Sequence, residues 1–163
     1  MELSSQENKN LIVYSTETRP LFQGRKTAKE LNKAGIKVIE IVDSAALEYI
    51  KKADIILLGA DAILKNGDVL NKIGSGMYAE LAFEHKIPVY IASNSLKISL
   101  KNVEIEKRTF EEVWKSKPKD IQIDNFAFSL IKEKYIKGII SDLGVLKPKD
   151  FVKKASKKYF WIK

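Results

Sequence analysis

The chain has no cysteine and a single histidine, His85, among its 163 residues. The first absence excludes disulfides, thiolate metal sites and a catalytic thiol supplied by these residues. The second argues against a histidine-built zinc site and against a Ser-His-Asp triad made within the chain. No apolar run comes near the roughly 20 residues of a membrane helix; the longest, Ile55 to Ala60, is strand-sized. The opening Met-Glu-Leu-Ser-Ser-Gln-Glu-Asn is polar and acidic, unlike a secretory leader, which predicts a cytoplasmic protein with no membrane partner. Chemistry is thereby confined to carboxylates, lysines, amides, hydroxyls and backbone, with no metal and no cofactor expected.

What is present describes a globular domain. Apolar residues make up 45% and charged residues 31%, enough to bury a core and too apolar for a disordered polymer. The length predicts one domain over residues 1–163. Net charge is +8 and unevenly placed: residues 1–97 carry 13 Lys/Arg against 12 Asp/Glu, and residues 98–163 carry 16 against 9. A basic half can mark a nucleic-acid surface. No aromatic-interleaved basic patch or nucleic-acid motif accompanies it here, so lysines on solvated helix faces are the preferred reading.

Apolar runs of strand length alternate with helix-period segments. Leu11 to Ser15, Lys37 to Val42, Ile55 to Leu58 and Val89 to Ala92 read as strands, the third apolar throughout as in a covered parallel sheet. Leu21 to Ala34 reads as a helix stopped by Gly35, Ser44 to Ala53 as a helix capped by Ser44, and Met77 to Lys86 as a short helix. The alternation predicts βαβ units and an α/β fold, doubly wound, with a mainly parallel sheet flanked by helices. The second part is less regular. Val103 to Glu106 and Ile121 to Asp124 resemble strands, Thr109 to Trp114 and Lys132 to Leu143 helices, and Pro148 opens a basic terminal segment.

In such a sheet, ligands bind beyond the carboxyl ends of the strands. The residues there are Ser15 to Pro20, Asp43-Ser44, Gly59-Ala60-Asp61 and Ser93-Asn94-Ser95, which converge on one polar rim. Residues 61–76, read as a polar loop, form the richest segment. Asn66-Gly67 predicts a tight turn, and Gly74-Ser75-Gly76 opens a helix whose amides and dipole, beside Lys72, suit a phosphate. The match to a dinucleotide fingerprint at Gly74-x-Gly76-x-x-Ala79 is accidental, because it does not follow the first strand of a βαβ unit. Asp61 fits a turn cap as well as an acid, and Arg19 fits a solvated helix start. Gln23 and Lys97 carry no signal in their spacing. Asn71-Lys72 before a glycine-opened helix points toward a ligand, while His85 fits a favourable charge at a helix end.

These same residues resemble a known family: the regulatory subunits of translation initiation factor 2B, together with the archaeal ribose-1,5-bisphosphate isomerases and the methylthioribose-1-phosphate isomerases. The motifs are Thr16-Glu-Thr-Arg-Pro-Leu-Phe-Gln-Gly24 with Thr27-Ala-Lys-Glu-Leu31, then Val42-Asp-Ser-Ala45, and Gly59-Ala-Asp61 continuing to Asn71-Lys-Ile-Gly74. Ser95-Leu-Lys-Ile98 and Ile139-Ile-Ser-Asp-Leu-Gly-Val145 follow. The isomerase pattern is the nearer one, and the match begins at about residue 10.

The resemblance implies a Rossmann-like fold and a site for a phosphorylated sugar or nucleotide. It makes Asp61 the proton donor and Gln23, Asn71, Lys72 and Lys97 substrate contacts; Arg19, from the motif that also holds Gln23, is a further candidate contact, and Gly74, Ser75 and Gly76 stay the candidate phosphate-binding backbone. Family enzymes also carry an N-terminal helical domain and a cysteine working opposite the aspartate. The chain is therefore expected to be the C-terminal domain, binding ligand and forming a homodimer or larger assembly without complete isomerase chemistry. Two alternatives are an aldose–ketose isomerase completed by a partner chain, and a non-catalytic interaction subunit in translation initiation.

Overall fold

The structure, a computed structural model, describes residues 11–100 and 103–161. The polar opening residues and the last two of the chain lie outside the described residues. The chain divides into two units, Met1–Tyr49 with Thr109–Ile123, and Ile50–Arg108 with Asp124–Lys163.

In the first unit the apolar run from Leu11 becomes β1 (Ile12–Thr16), parallel to β2 (Lys37–Ile41), with Ile12 opposite Lys37 and Thr16 opposite Ile41. Between them runs α1 (Gln23–Lys33), which completes the expected βαβ unit. The helix starts later than its apolar pattern because Phe22 is left-handed, at φ 56° and ψ 34°. It stops where the sequence says. Gly35 takes φ 76°, and its amide and that of Ile36 bond back to Asn32 and Leu31, an arrangement that a residue without Cβ adopts at no steric cost. The helix predicted from Ser44 is shorter: a 3₁₀ turn, Asp43–Ala45, runs into α2 (Ala46–Ile50), and Ser44 lies inside the turn instead of capping it. A single helical turn, Glu111–Trp114, also belongs to this unit.

The second unit begins with β3 (Ile56–Leu58), then a hairpin of β4 (Ala62–Leu64) and β5 (Val69–Lys72). It continues with α3 (Ser75–Glu84), β6 (Val89–Ala92), β7 (Ile98–Ser99), β8 (Phe128–Ile131), β9 (Ile136–Ser141), β10 (Gly144–Leu146) and α4 (Pro148–Lys158). The strands form two sheets, ordered β10-β9-β6-β3 and β7-β4-β5-β8. Pairs β3–β6 and β6–β9 are parallel, as is β4–β7; β4–β5 and β5–β8 are antiparallel. The α/β reading with parallel strands flanked by helices therefore holds, with a mixed second sheet in addition.

Three local expectations are corrected. Residues 61–76 are not a plain loop, since the Asn66-Gly67 turn (Gly67 at φ 91°) joins β4 to β5. Lys132 to Leu143 is not a helix but a 3₁₀ turn followed by β9. Ile136, Ile139 and Ile140 have helical spacing, yet isoleucine is β-branched and favours a pleated surface, and a register shift at Val89/Tyr90 absorbs the mismatch. Neither Val103–Glu106 nor Ile121–Asp124 pairs as a strand; an isolated bridge joins Lys107 to Phe126 instead.

The core of the second unit is built from Ile63, Val69, Ile91, Ile131, Ile139 and Phe151, all fully buried, with Ala79 and Ala82 of α3 and Ala155 of α4 seated against the strands. Alanine at those helix positions lets the backbone approach the sheet closely. Among the described residues no helix is long and apolar enough to cross a membrane.

Candidate functional site

The rim of the second unit is assembled by strand register. β3 ends at Leu58, and the chain passes through Gly59-Ala60 to Asp61, whose amide donates to the Leu70 carbonyl (2.8 Å). With Ala62 opposite Leu70, Asp61 stands beside Asn71, and its side chain is exposed. On the other flank of β4, Ile63 pairs with Ile98, so Lys97 stands beside Ala62. Adjacent strands lie about 4.8 Å apart. The backbone positions of Asp61, Asn71, Lys72 and Lys97 thus gather at one end of the β7-β4-β5-β8 sheet.

Each of these residues is held locally. Asn71 Nδ2 donates to Ser75 Oγ (2.8 Å), which turns its Oδ1 toward Gly59: a Cβ built on Gly59 would lie 3.5 Å from that oxygen. The Lys72 carbonyl accepts from Ser129 Oγ (3.3 Å), and the same hydroxyl oxygen accepts from the Gly76 amide (3.0 Å). Lys97 closes a 3₁₀ turn, Ser95–Lys97, in which Asn94 accepts from the Leu96 amide through its side chain (2.9 Å) and from the Lys97 amide through its carbonyl (3.0 Å).

The glycines opening α3 have reasons within the fold. Gly74 sits at φ 96°, and a Cβ on Gly76 would fall 2.6 Å from the Leu130 carbonyl oxygen. Of the three residues read as an anion cradle, Gly76 has its amide engaged by Ser129, and Ser75 is buried with its hydroxyl engaged by Asn71. A cleft of about 890 Å³ opens nearby, lined by Gly76, Met77 and Glu80 of α3, by Ser129 and Leu130, and by Lys132–Tyr135 among others. Asp61 and Lys97 are not among its walls. Tyr135 donates to Glu80 there (2.7 Å), and that bond raises the phenol above its ordinary pKa.

Arg19 and Gln23 belong to the first unit, and the site there is the turn after β1. Asp43 accepts the amides of Thr18 (2.9 Å) and Arg19 (2.7 Å). Thr18 is left-handed at φ 59°, a conformation a β-branched residue takes only where its surroundings impose it, at about 1–3 kcal/mol. The Arg19 guanidinium donates to the Val113 carbonyl (3.2 Å) and lies 4.8 Å from the Phe22 ring centre. Arg25 stacks on the same ring at 3.8 Å and pairs with Glu17 at 2.7 Å. Gln23 opens α1 and is exposed.

One cluster has no counterpart in the sequence reading. Ser95, fully buried, donates its amide to Asp142 Oδ1 and its hydroxyl to Oδ2, both at 2.7 Å. Tyr159 Oη lies 2.7 Å from the same hydroxyl, and Lys158 donates to Oδ2 at 2.9 Å. The Ser95 hydroxyl, then Lys158 and the Ser95 amide, hold the Asp142 carboxyl well below the usual carboxylate range. Its bond to Asp142 raises Lys158 in turn. No local spacing could have revealed a partnership 47 residues apart; the only signal was the unassigned aspartate in Ser141-Asp-Leu-Gly144.

A carboxylate depressed in the folded state adds stability that is complete above its unfolded pKa of about 3.9 and is lost as pH falls through the folded value. The difference in melting temperature between wild type and Asp142→Asn should therefore stay constant above about pH 5 and shrink below about pH 4. A difference independent of pH throughout that range would show that folding does not favour the ionised Asp142 carboxyl over its acid form.

A family model for the initiation factor 2 subunit family matches residues 1–148. The ribose 1,5-bisphosphate isomerase of Methanocaldococcus jannaschii is 44% identical over 149 residues, covering 87% of this chain and 48% of that protein. Among solved structures, 5-methylthioribose 1-phosphate isomerase from Pyrococcus horikoshii OT3 superposes with a TM-score of 0.86 at 35% identity, over 96% of this chain and 48% of that one. Translation initiation factor eIF-2B, subunit delta, from A. fulgidus gives 0.81 at 31% identity, over 91% and 48%. The chain thus spans about half the length of the relatives it matches.

Proposed function

The chain belongs to the initiation factor 2 subunit family, and on that premise we propose that it supplies the phosphorylated-ribose-binding rim of a sugar-phosphate isomerase. What supports the reading is the register that gathers Asp61, Asn71, Lys72 and Lys97 at one sheet end, in a chain 44% identical to a ribose 1,5-bisphosphate isomerase. Lys72 and Lys97 bring charge for phosphate oxygens, where charge-assisted hydrogen bonds are strongest. Asn71, oriented by Ser75, offers an amide to sugar hydroxyls. Asp61 is one member of the acid/base pair that aldose–ketose interconversion requires. The second member comes from a group outside these 163 residues, in the remainder of the protein or in a partner polypeptide. In the same reading the chain works in the cytoplasm as a homodimer or larger assembly.

Calorimetric titration tests the proposal, with ribose 1,5-bisphosphate as ligand and AMP as a comparison that presents one ribose phosphate. Wild type should bind the bisphosphate saturably. Lys72→Ala should weaken binding by about 10–100-fold, since a hydrogen bond to a charged group contributes about 1.5–3 kcal/mol. No binding by wild type, or unchanged affinity in Lys72→Ala, would defeat it.

The likeness to the eIF-2B delta subunit favours a second reading, an interaction subunit in translation initiation. Recovery of initiation factor 2 with the tagged chain, undiminished by Lys72→Ala, would support that reading over the first.

A further inference from the structure

We infer that Asp142 is a positioning residue: through its two-point grip on Ser95 it fixes the Ser95–Lys97 turn and so sets Lys97 at the rim beside Ala62, on the strand that begins next to Asp61. The inference rests on the rim reading above for its functional meaning, and on the geometry of one cluster for its substance.

The grip is two-pronged. One carboxylate oxygen takes the Ser95 amide and the other its hydroxyl, each at 2.7 Å. A single bond would leave Ser95 free to swivel; a fork fixes both the position and the rotation of its backbone. The Ser95 hydroxyl has one proton, and Asp142 receives it. Tyr159 must then donate to the Ser95 oxygen across their 2.7 Å contact. The two hydroxyl protons of Tyr159 and Ser95 thereby each have one direction, Tyr159 to Ser95 and Ser95 to Asp142, and Lys158 donates to the same carboxylate. A polar network satisfied in this way specifies one arrangement where an apolar filling would tolerate several.

The rigidity has a short path to travel. Lys97 is two residues beyond Ser95, and the next residue, Ile98, is already locked to Ile63 in β7. The turn is held at one end by the sheet and at the other by Asp142. Asp142 is itself anchored in the β9–β10 turn, where the Leu143 amide donates to Ser141 Oγ (3.0 Å) and Lys154 of α4 donates to the Leu143 carbonyl (3.0 Å). A charged contact with phosphate depends on geometry, so a lysine whose turn is held less firmly gives a weaker one.

A double-mutant cycle in the full chain tests this, reading the affinity for ribose 1,5-bisphosphate by calorimetry. Asp142→Asn should weaken binding about tenfold in the wild-type background and less than about twofold in a Lys97→Ala background, because its effect acts through that lysine. Equal losses in both backgrounds would mark Asp142 as merely structural and overturn the inference. If Asp142→Asn fails to fold, Ser95→Ala removes the hydroxyl prong alone and enters the same cycle. Amide hydrogen exchange gives a reading that needs no ligand: Ser95 and Lys97 should exchange faster in Asp142→Asn. Unchanged protection at both would overturn the inference even if wild type does not bind the bisphosphate, an outcome that would sink the rim reading separately.

Discussion

Gly24→Ala should unfold the first unit or destabilise it by more than about 4 kcal/mol, an effect of the size reserved for severe core overlap. A Cβ at that position would overlap the Thr16 carbonyl oxygen and lie 2.8 Å from its carbon and 2.9 Å from Thr18 Oγ1. The obstacle is backbone, and it cannot swing aside. Thr16 is the last residue of β1, tied to Ile41 in the parallel ladder, and the next amide, Glu17, donates to the Ile41 carbonyl (2.9 Å). Relief would require α1 to move off the strand, carrying Gln23 with it. Trp114 lies in this unit and Trp161 in the other, so tryptophan fluorescence of a Trp161→Phe background reports the first unit alone. A loss below about 1 kcal/mol would contradict the close approach of α1 to β1.

Asp61→Asn should reduce isomerase activity by about 10²–10⁴-fold, the usual contribution of one acid/base group. The assay is the chain complemented by the part of the Methanocaldococcus jannaschii isomerase that it does not match, because this chain spans 48% of that protein. The substitution keeps the size of the side chain but replaces the carboxyl with an amide that cannot give or take a proton. Asp61 is exposed, and its backbone bond to Leu70 is independent of the side chain. Stability and bisphosphate affinity should therefore change little while turnover collapses. That split separates proton transfer from a turn-capping role, in which stability would fall and turnover would not. A complemented Asp61→Asn with undiminished turnover would remove Asp61 from the chemistry.

The βαβ half of the fold was legible because its signals are local. β1 opens on the apolar Ile12-Val-Tyr14 and β2 is rich in β-branched residues, α1 shows helical spacing, and Gly35 ends it by a conformation glycine adopts freely. The remainder was hidden where pattern and partner disagree. In β9 the spacing of Ile136, Ile139 and Ile140 imitates a helix, and only pairing with β6 and β10 makes it a strand. β7 has two residues and β8 four, too few for a period to declare itself. Gly76 looked like phosphate-binding backbone, yet the contact with the Leu130 carbonyl explains its lack of a side chain without any ligand. Asp61, Asn71, Lys72 and Lys97 could be named from motifs; what brings them together is sheet register, a long-range property. The Ser95–Asp142 fork joins residues 47 apart for the same reason.

The claim that a phosphorylated ribose sits at the end of the β7-β4-β5-β8 sheet is tested most directly by mapping it on the backbone. Heteronuclear NMR spectra of the isotopically labelled chain would be recorded as ribose 1,5-bisphosphate is added to saturation. The largest amide shifts should fall on Asp61, Asn71, Lys72, Gly74 and Lys97, with smaller ones at Ser95. Largest shifts confined to the cleft walls at Lys132–Tyr135, or no shifts at millimolar ligand, would contradict it.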